Sequence, residues 1–185
     1  MRAFTEMDDQ ELVDLAKTDY AAFDVLYRRY VTPVYRYCYA RTDNESDAED
    51  LTAQTFLAAL EGVRRYRGRS TFAAWLFGVA RHKCADFYRK QYADPGELSG
   101  EYIEDVPESA EMSDPEARIS LQELLECVER GLPYITSDRK EALRLRYWVG
   151  LRIADIARVT KRSQAAVKML LSRAISDLRE RCVTI

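Results

Sequence analysis

Residues 92–117, YADPGELSGEYIEDVPESAEMSDPEA, constrain the architecture more than any other stretch. They hold three prolines, two glycines and nine acidic residues, with no lysine or arginine. Proline and glycine interrupt regular structure, and nine like charges repel one another. Such a stretch buries too little apolar surface to offset the entropy lost on ordering it. A flexible acidic linker is therefore expected, dividing an N-terminal unit (residues 1–91) from a C-terminal one (residues 118–185). Hydrophobic residues make up 47% of the 185 positions, enough for each unit to build its own core.

Both units read as helical. In FDVLYRRYVTPVYRYCYAR, Phe23, Leu26, Tyr27, Tyr30, Val34 and Tyr37 recur at three- and four-residue intervals. Pro33 lies inside this run and predicts a kink or a break there. NESDAEDLTAQTFLAALEGV opens with acids, which suit the positive end of a helix, and carries Leu51, Phe56, Leu60 and Val63 on an apolar side. Gly62 and Gly68 bracket a basic loop. Ser70 or Thr71 is the expected cap of the next helix, with Phe72, Trp75, Leu76, Val79 and Phe87 turned inward.

In the C-terminal unit, ISLQELLECVERGL has leucines at helical spacing, and SDRKEALRLRYWVG starts at Ser137 and stops at Gly150. RIADIARVT and SQAAVKMLLSRAISDLRERC follow: a short helix, a turn of about three residues, and a longer helix opened by Ser163. This is a helix-turn-helix pattern, packed through Ile156, Ala157, Val167 and Leu170 or Leu171. No strand-like alternation of useful length occurs. The expected fold is all-α: two small helical domains joined by the linker.

The net charge of −3 conceals alternating blocks. Residues 1–61 carry −7, residues 62–91 carry +7, the linker carries −9 and residues 118–185 carry +6. Two basic blocks separated by an acidic one imply two surfaces that meet polyanions. No apolar run is long enough to span a membrane, and the N-terminus is charged from the start, so no signal peptide or anchor is expected and the cytoplasm is the default compartment. Cys38, Cys84, Cys127 and Cys182 form no CxxC pair, and His82 is the single histidine. Buried reduced thiols are expected, with no metal site and no cofactor. An enzyme is disfavoured for the same reason. Asp47 and Asp50 lie near each other at an acidic helix start, where capping accounts for them.

RRYRGRSTFAAWLFGVARHK, beginning at Arg64, combines arginines with aromatic rings. Arginines neutralise phosphates and aromatic faces accept unstacked bases, so the loop suits single-stranded nucleic acid. Trp75 is expected to be core. For Tyr66 and Phe72, base contact and core filling are both open. In the helix-turn-helix, Arg162, Ser163, Gln164 and Lys168 occupy the first turns of the second helix, which face base edges in the major groove, and Arg173 lies farther along near the backbone. A plain helical bundle with a solvated basic face has the same pattern.

FDVLYRRYVTPVYRY, DAEDLTAQTFLAAL, YRGRSTFAAWLFGVARHKCADFYRK and LRLRYWVGLRIADIARVTKRSQAAVKMLLSRAISDLRE, in this order, resemble a bacterial extracytoplasmic-function (ECF) sigma factor of the sigma-70 family. The resemblance covers nearly the whole chain. It implies a non-enzymatic specificity subunit that directs core RNA polymerase to promoter DNA and helps to open it. Asp47, Glu49, Asp50, Gln54 and Thr55 would face the polymerase β′ subunit. Arg64, Arg65, Tyr66, Arg67, Arg69, Ser70, Thr71 and Phe72 would take an extruded base of the −10 element, and Arg81, His82, Asp86, Arg89 and Lys90 would lie along −10 DNA. The linker would run through the polymerase cleft. Arg162, Ser163, Gln164, Lys168 and Arg173 would read −35 DNA, with the β flap of the polymerase alongside. An anti-sigma factor is an implied further partner.

The chain departs from the family pattern in its turn, Thr160-Lys161-Arg162, where Leu-Gly-hydrophobic is usual. Lys161 would take the left-handed backbone at a cost of about 1 kcal/mol, or the turn differs. Arg162 replaces an apolar anchor. Ala165, Ala166, Met169 and Leu170 make the recognition helix more apolar, so altered −35 reading or a protein partner at this face is expected. The competing reading is a stand-alone helix-turn-helix regulator, which has no need of the N-terminal basic loop.

Overall fold

The structure is a computed structural model that describes residues 4–93, 128 and 131–183. Nearly all of the acidic linker and most of the leucine-spaced segment after it lie outside the described residues. Among the described residues every regular element is helical. None of these helices is long and apolar enough to cross a membrane.

Helix α1 (Asp9–Ala16) begins with a capping box: Glu11 N donates to Asp8 Oδ1 (2.9 Å) and Asp8 N to Glu11 Oε2 (3.0 Å). It buries Leu12, Val13 and Ala16 against α2 (Tyr20–Thr42). Pro33 neither breaks nor ends α2. A proline removes one backbone donor, but α2 packs on α1, α3 and α4, and such packing supplies most of a helix's stability in a protein. Asp43 ends it in the left-handed conformation (φ 53°), which Asp tolerates better than most residues. Helix α3 (Glu45–Gly62) and α4 (Phe72–Ala93) complete the N-terminal unit, α4 running two residues past the expected boundary. Leu12, Leu26, Tyr37, Leu51, Leu76 and Phe77 form the fully buried centre. Cys38 and Cys84 are free, buried thiols in this core, as expected, with Sγ atoms 4.0 Å apart.

The C-terminal unit contains α5 (Ser137–Leu143), a π-helical turn (Arg144–Trp148), α6 (Ile153–Thr160) and α7 (Gln164–Val183). Helix α5 begins at Ser137 as expected, with Thr136 at the N-cap position. The π turn is closed by Val149 N donating to Arg144 O (3.1 Å), and Gly150 (φ 77°) supplies the left-handed residue that ends it. Leu145, Ile156, Val167 and Ala174 are fully buried, and Leu171 nearly so. Residues Ile156, Ala157, Val167 and Leu171 join α6 to α7 as their spacing implied, with Leu170 half-buried beside them. The two units are in contact: α4 packs on α6, and α2 packs on the π turn.

Candidate nucleic-acid interface

The acidic face of α3 is set by a single cap. Asn44 Oδ1 accepts from Asp47 N (3.0 Å), which places Glu45 and Asp47 in the first turn, at the positive end of the helix dipole. From there the helical period decides each side chain. Ala48, Leu51, Thr52, Thr55, Phe56 and Ala59 point inward. Glu49, Asp50 and Gln54 are exposed and Asp47 is half-buried. Thr55 therefore does not belong to the outward face. It is fully buried, and its hydroxyl donates to Leu51 O (2.7 Å), one turn back on the same inward stripe. Leu57, 59% exposed, stands on the outward side instead, an apolar residue that charge patterning did not single out.

The basic loop is built around a cluster of rings. Val63–Arg65 form a 3₁₀ turn, and Gly68 (φ 66°) bends the chain back towards Thr71. Thr71 is the cap of α4, its Oγ1 accepting from Ala74 N (3.2 Å). Tyr66 lies 5.3 Å from Trp75 and 6.3 Å from Phe72 between ring centroids, and Phe72 lies 5.7 Å from Trp75 and 5.5 Å from Tyr30. The Tyr66 hydroxyl donates to Ser70 O and closes the loop on itself. Tyr66 and Phe72 are 7% and 2% exposed, so both are core side chains here and neither presents a face to a base. Trp75 is half-buried. Its ring covers Gly62, where a Cβ would meet ring carbon Cζ2 at 3.1 Å. Arg64, Arg65, Arg67 and Arg69 are all exposed, and Ser70 and Thr71 are half-buried. The rings thus hold a rigid frame from which four cations project.

Along α4, His82, Arg89 and Lys90 are exposed, and Arg81 and Asp86 are half-buried. Asp86 pairs with His82 Nδ1 (2.9 Å) and with Arg89. A groove between α3 and α4 is lined by Leu51 and Gln54 from one helix and by Lys83, Asp86 and Phe87 from the other.

In the C-terminal unit, Lys161 does adopt the left-handed conformation (φ 55°, ψ 40°). Arg162 N donates to Ala157 O (2.9 Å), closing the end of α6 in the way a glycine usually does. Arg162 is not an anchor in the core. Its guanidinium reaches Asp138 Oδ2 (2.5 Å) and ties the turn to α5 through an ion pair. Ser163 Oγ accepts from Ala166 N (3.1 Å) and starts α7. Arg162, Ser163, Gln164, Lys168 and Arg173 are all exposed, and so is Met169, at 53%. The exposed side of α7 therefore carries polar and basic residues, with one large apolar side chain among them.

Glu141 and Arg41 meet where the two units touch, with Tyr37 and Arg81 beside them, and no spacing in the sequence announced that meeting. Glu141 on α5 is only 6% exposed. Its carboxylate accepts from Tyr37 Oη (2.6 Å) and Arg41 Nη1 (2.5 Å), both on α2, and Arg81 Nε on α4 lies 3.7 Å away. Burial and the Glu141 charge push the Tyr37 phenol well above its usual range.

The model of sigma-70 region 2 matches residues 26–93, and that of sigma-70 region 4 matches residues 125–178. The ECF RNA polymerase sigma factor BldN of Streptomyces coelicolor is 38% identical over 173 residues, 91% of this chain; the chain spans 63% of the length of that relative. The ECF RNA polymerase sigma factor SigC of Mycobacterium tuberculosis is 31% identical over 174 residues, covering 92% of this chain and 90% of its own. Among solved structures, the sigma factor RpoE of Bartonella quintana, in complex with the anti-sigma factor NepR, superposes with a TM-score of 0.65 at 20% identity, over 86% of this chain and 95% of that one, and so shares its fold. Two sigma-70 regions in order, and 31% identity to SigC over nine-tenths of both chains, place this chain in the ECF family of RNA polymerase sigma factors.

Proposed function

We propose that this chain is the promoter-specificity subunit of RNA polymerase, working in the cytoplasm through four surfaces and without catalytic chemistry of its own. Asp47, Glu49, Asp50 and Gln54 on α3 bind the β′ subunit, the acidic strip meeting a basic partner surface. Arg64, Arg65, Arg67 and Arg69 hold the phosphates of a displaced −10 strand, on a loop whose shape Tyr66, Phe72 and Trp75 maintain. His82, Arg89 and Lys90 continue that track along α4. Gln164, Lys168 and Arg173 on α7 read −35 DNA in the major groove, with Arg162 and Ser163 at its entry. The linker follows the polymerase cleft. An anti-sigma factor, like the one bound to the RpoE relative, is the expected regulator of the free protein.

The observation that carries this reading is the exposure of four arginines on a loop braced by buried rings. A regulator that binds duplex DNA alone has no use for that loop, nor for the acidic strip beside it. Run-off transcription with core polymerase on a supercoiled promoter library tests the proposal. Transcripts above those of core alone are expected, and their absence refutes it.

A further inference from the structure

We propose that Cys38 and Cys84 form an oxidation site, at which hydrogen peroxide converts a buried dithiol into a disulfide that ties α2 to α4. The inference is independent of the sigma reading above. The two thiols come from different helices, are both 0% exposed, and lie with their Sγ atoms 4.0 Å apart. A disulfide needs about 2.05 Å. Each sulfur must therefore advance by about 1 Å, a shift within reach of a side-chain rotation.

The helices hold the pair in register. Phe77 packs edge to face on Tyr37 (ring centroids 5.5 Å apart), and the Tyr88 hydroxyl donates to the Arg41 carbonyl. These contacts between α2 and α4 lie on either side of the thiols along both helices, so the sulfurs stay opposed. Apolar side chains of similar size would fill the same space; two facing thiols add the capacity to form a bond.

The surroundings divide the roles. The Cys84 thiol is held below its usual range, first by the hydrogen bond shared with Cys38 and, against the effect of burial, by the Arg41 charge. Arg144 supports that thiolate and Glu141 opposes it. Cys38 is pushed above its usual range, first by the same hydrogen bond and then by burial. Among the described residues Arg41 Nε is buried without a hydrogen-bond acceptor, a donor left over by the fold. Cys84 is thus the nucleophile and Cys38 the resolving thiol.

The chemistry balances with peroxide as the one co-reactant. The Cys84 thiolate attacks a peroxide oxygen; the S–O bond forms, the O–O bond breaks, and the departing hydroxide takes up the proton that left Cys84. The Cys38 thiol then attacks the sulfenic sulfur; the S–S bond forms, the S–O bond breaks, and water leaves with the Cys38 proton. The dithiol is oxidised to the disulfide and the peroxide is reduced to water. Burial requires a small oxidant and a local opening of the helices, so the reaction is slow. Where thiols are kept reduced, the bond is transient. It closes the chain between residues 38 and 84, a loop that contains all of α3 and the basic loop. Such closure constrains the unfolded chain and stabilises the folded one.

Peptide mapping and thermal unfolding of the full-length chain, before and after hydrogen peroxide, test the site. Tryptic digestion of the oxidised protein without reductant is expected to release YCYAR (residues 37–41) joined to CADFYR (residues 84–89), about 2 Da lighter than the two peptides together. The Tm should rise by about 4–16 °C and fall back with dithiothreitol. Cys38→Ala should abolish both changes and leave a sulfenic acid on Cys84 that dimedone traps. Cys84→Ala should abolish both and leave Cys38 unlabelled. Cys127→Ser with Cys182→Ser should respond to peroxide as wild type does. The proposal is overturned if peroxide leaves Cys38 and Cys84 as thiols, if either pairs with Cys127 or Cys182 instead, or if the joined peptides form with no rise in Tm. Labelling of Cys38 in place of Cys84 overturns the assigned order of attack. Should an alanine variant fail to fold, the wild-type peptide map and Tm decide the matter. Failure to transcribe with core polymerase would refute the sigma reading and leave these outcomes as they stand.

Discussion

Gly62 sits at the last position of α3 with the Trp75 ring lying over it, and replacing it separates two opposed effects. Its φ is −87°, so the backbone accepts any residue there. Alanine adds a Cβ 3.1 Å from Trp75 Cζ2 and 3.4 Å from Cη2. Carbon atoms prefer about 3.5–4.0 Å, so the ring must retreat by about 0.4 Å. Against that, alanine improves helix propensity by up to about 1 kcal/mol over glycine, less at a helix end. Trp75 is half-buried, so its ring is not enclosed on every side, and Gly62→Ala should stay within about 1 kcal/mol of wild type. Valine differs. Its two γ-carbons reach further into a ring already held by Tyr66 at 5.3 Å and Phe72 at 5.7 Å. Overpacking of this kind costs about 1–3 kcal/mol. For a chain of this size that lowers the Tm by about 2–12 °C. The assay is thermal unfolding together with tryptophan emission in a Trp148→Phe background, so that Trp75 alone reports. Gly62→Val with wild-type Tm and wild-type emission would refute the view that the ring cluster is a close-packed frame for the basic loop.

The arginine loop should separate two steps of initiation: Arg67→Ala with Arg69→Ala is expected to weaken open-complex formation, read by permanganate footprinting, about tenfold or more, while core binding changes little. Equal loss of both would make the loop structural. On α3, Glu49→Lys and Asp50→Lys should each weaken core binding about tenfold by reversing charge on an exposed strip. Thr55→Val should leave that affinity within about twofold, because the side chain is buried. The phenol of Tyr37 is held well above its usual 10.0, first by burial and then by the Glu141 charge. A raised pKa in the folded state means that its stabilising contribution is complete below pH 10 and is lost as pH rises beyond it, where the unfolded phenol ionises and the folded one does not. Tyr37→Phe should therefore flatten the fall in Tm between pH 10 and 11.5, and an unchanged slope would count against that assignment.

Much of this molecule was legible in its sequence because helices are local. The 3.6-residue period gave the inward and outward faces of α2, α4 and α7, and Ser163 and Thr71 proved to be caps where short polar residues preceded apolar runs. For Lys161 the resemblance left two outcomes open, a left-handed backbone or a different turn, and the chain takes the first. Thr55 and the two aromatics were placed wrongly or left open for one reason. A residue's polarity or ring says what it is able to touch, and only its phase on the helix and the neighbours that arrive from elsewhere decide what it does touch. Pro33 likewise carries a local signal to break the helix, yet α2 runs through it, packed on three neighbouring helices.

By itself the sequence determined the helices, the division of charge into blocks and the family, because each depends on residues close together or on a pattern read in order. The tertiary structure alone decided that Tyr66 and Phe72 fill a core, that Arg162 pairs with Asp138, and that Glu141 is gripped by α2. Each of those is a meeting of residues distant in sequence: 104 positions separate Tyr37 from Glu141. No periodicity reaches that far, and a buried carboxylate acquires its partners only when two separately built units come together.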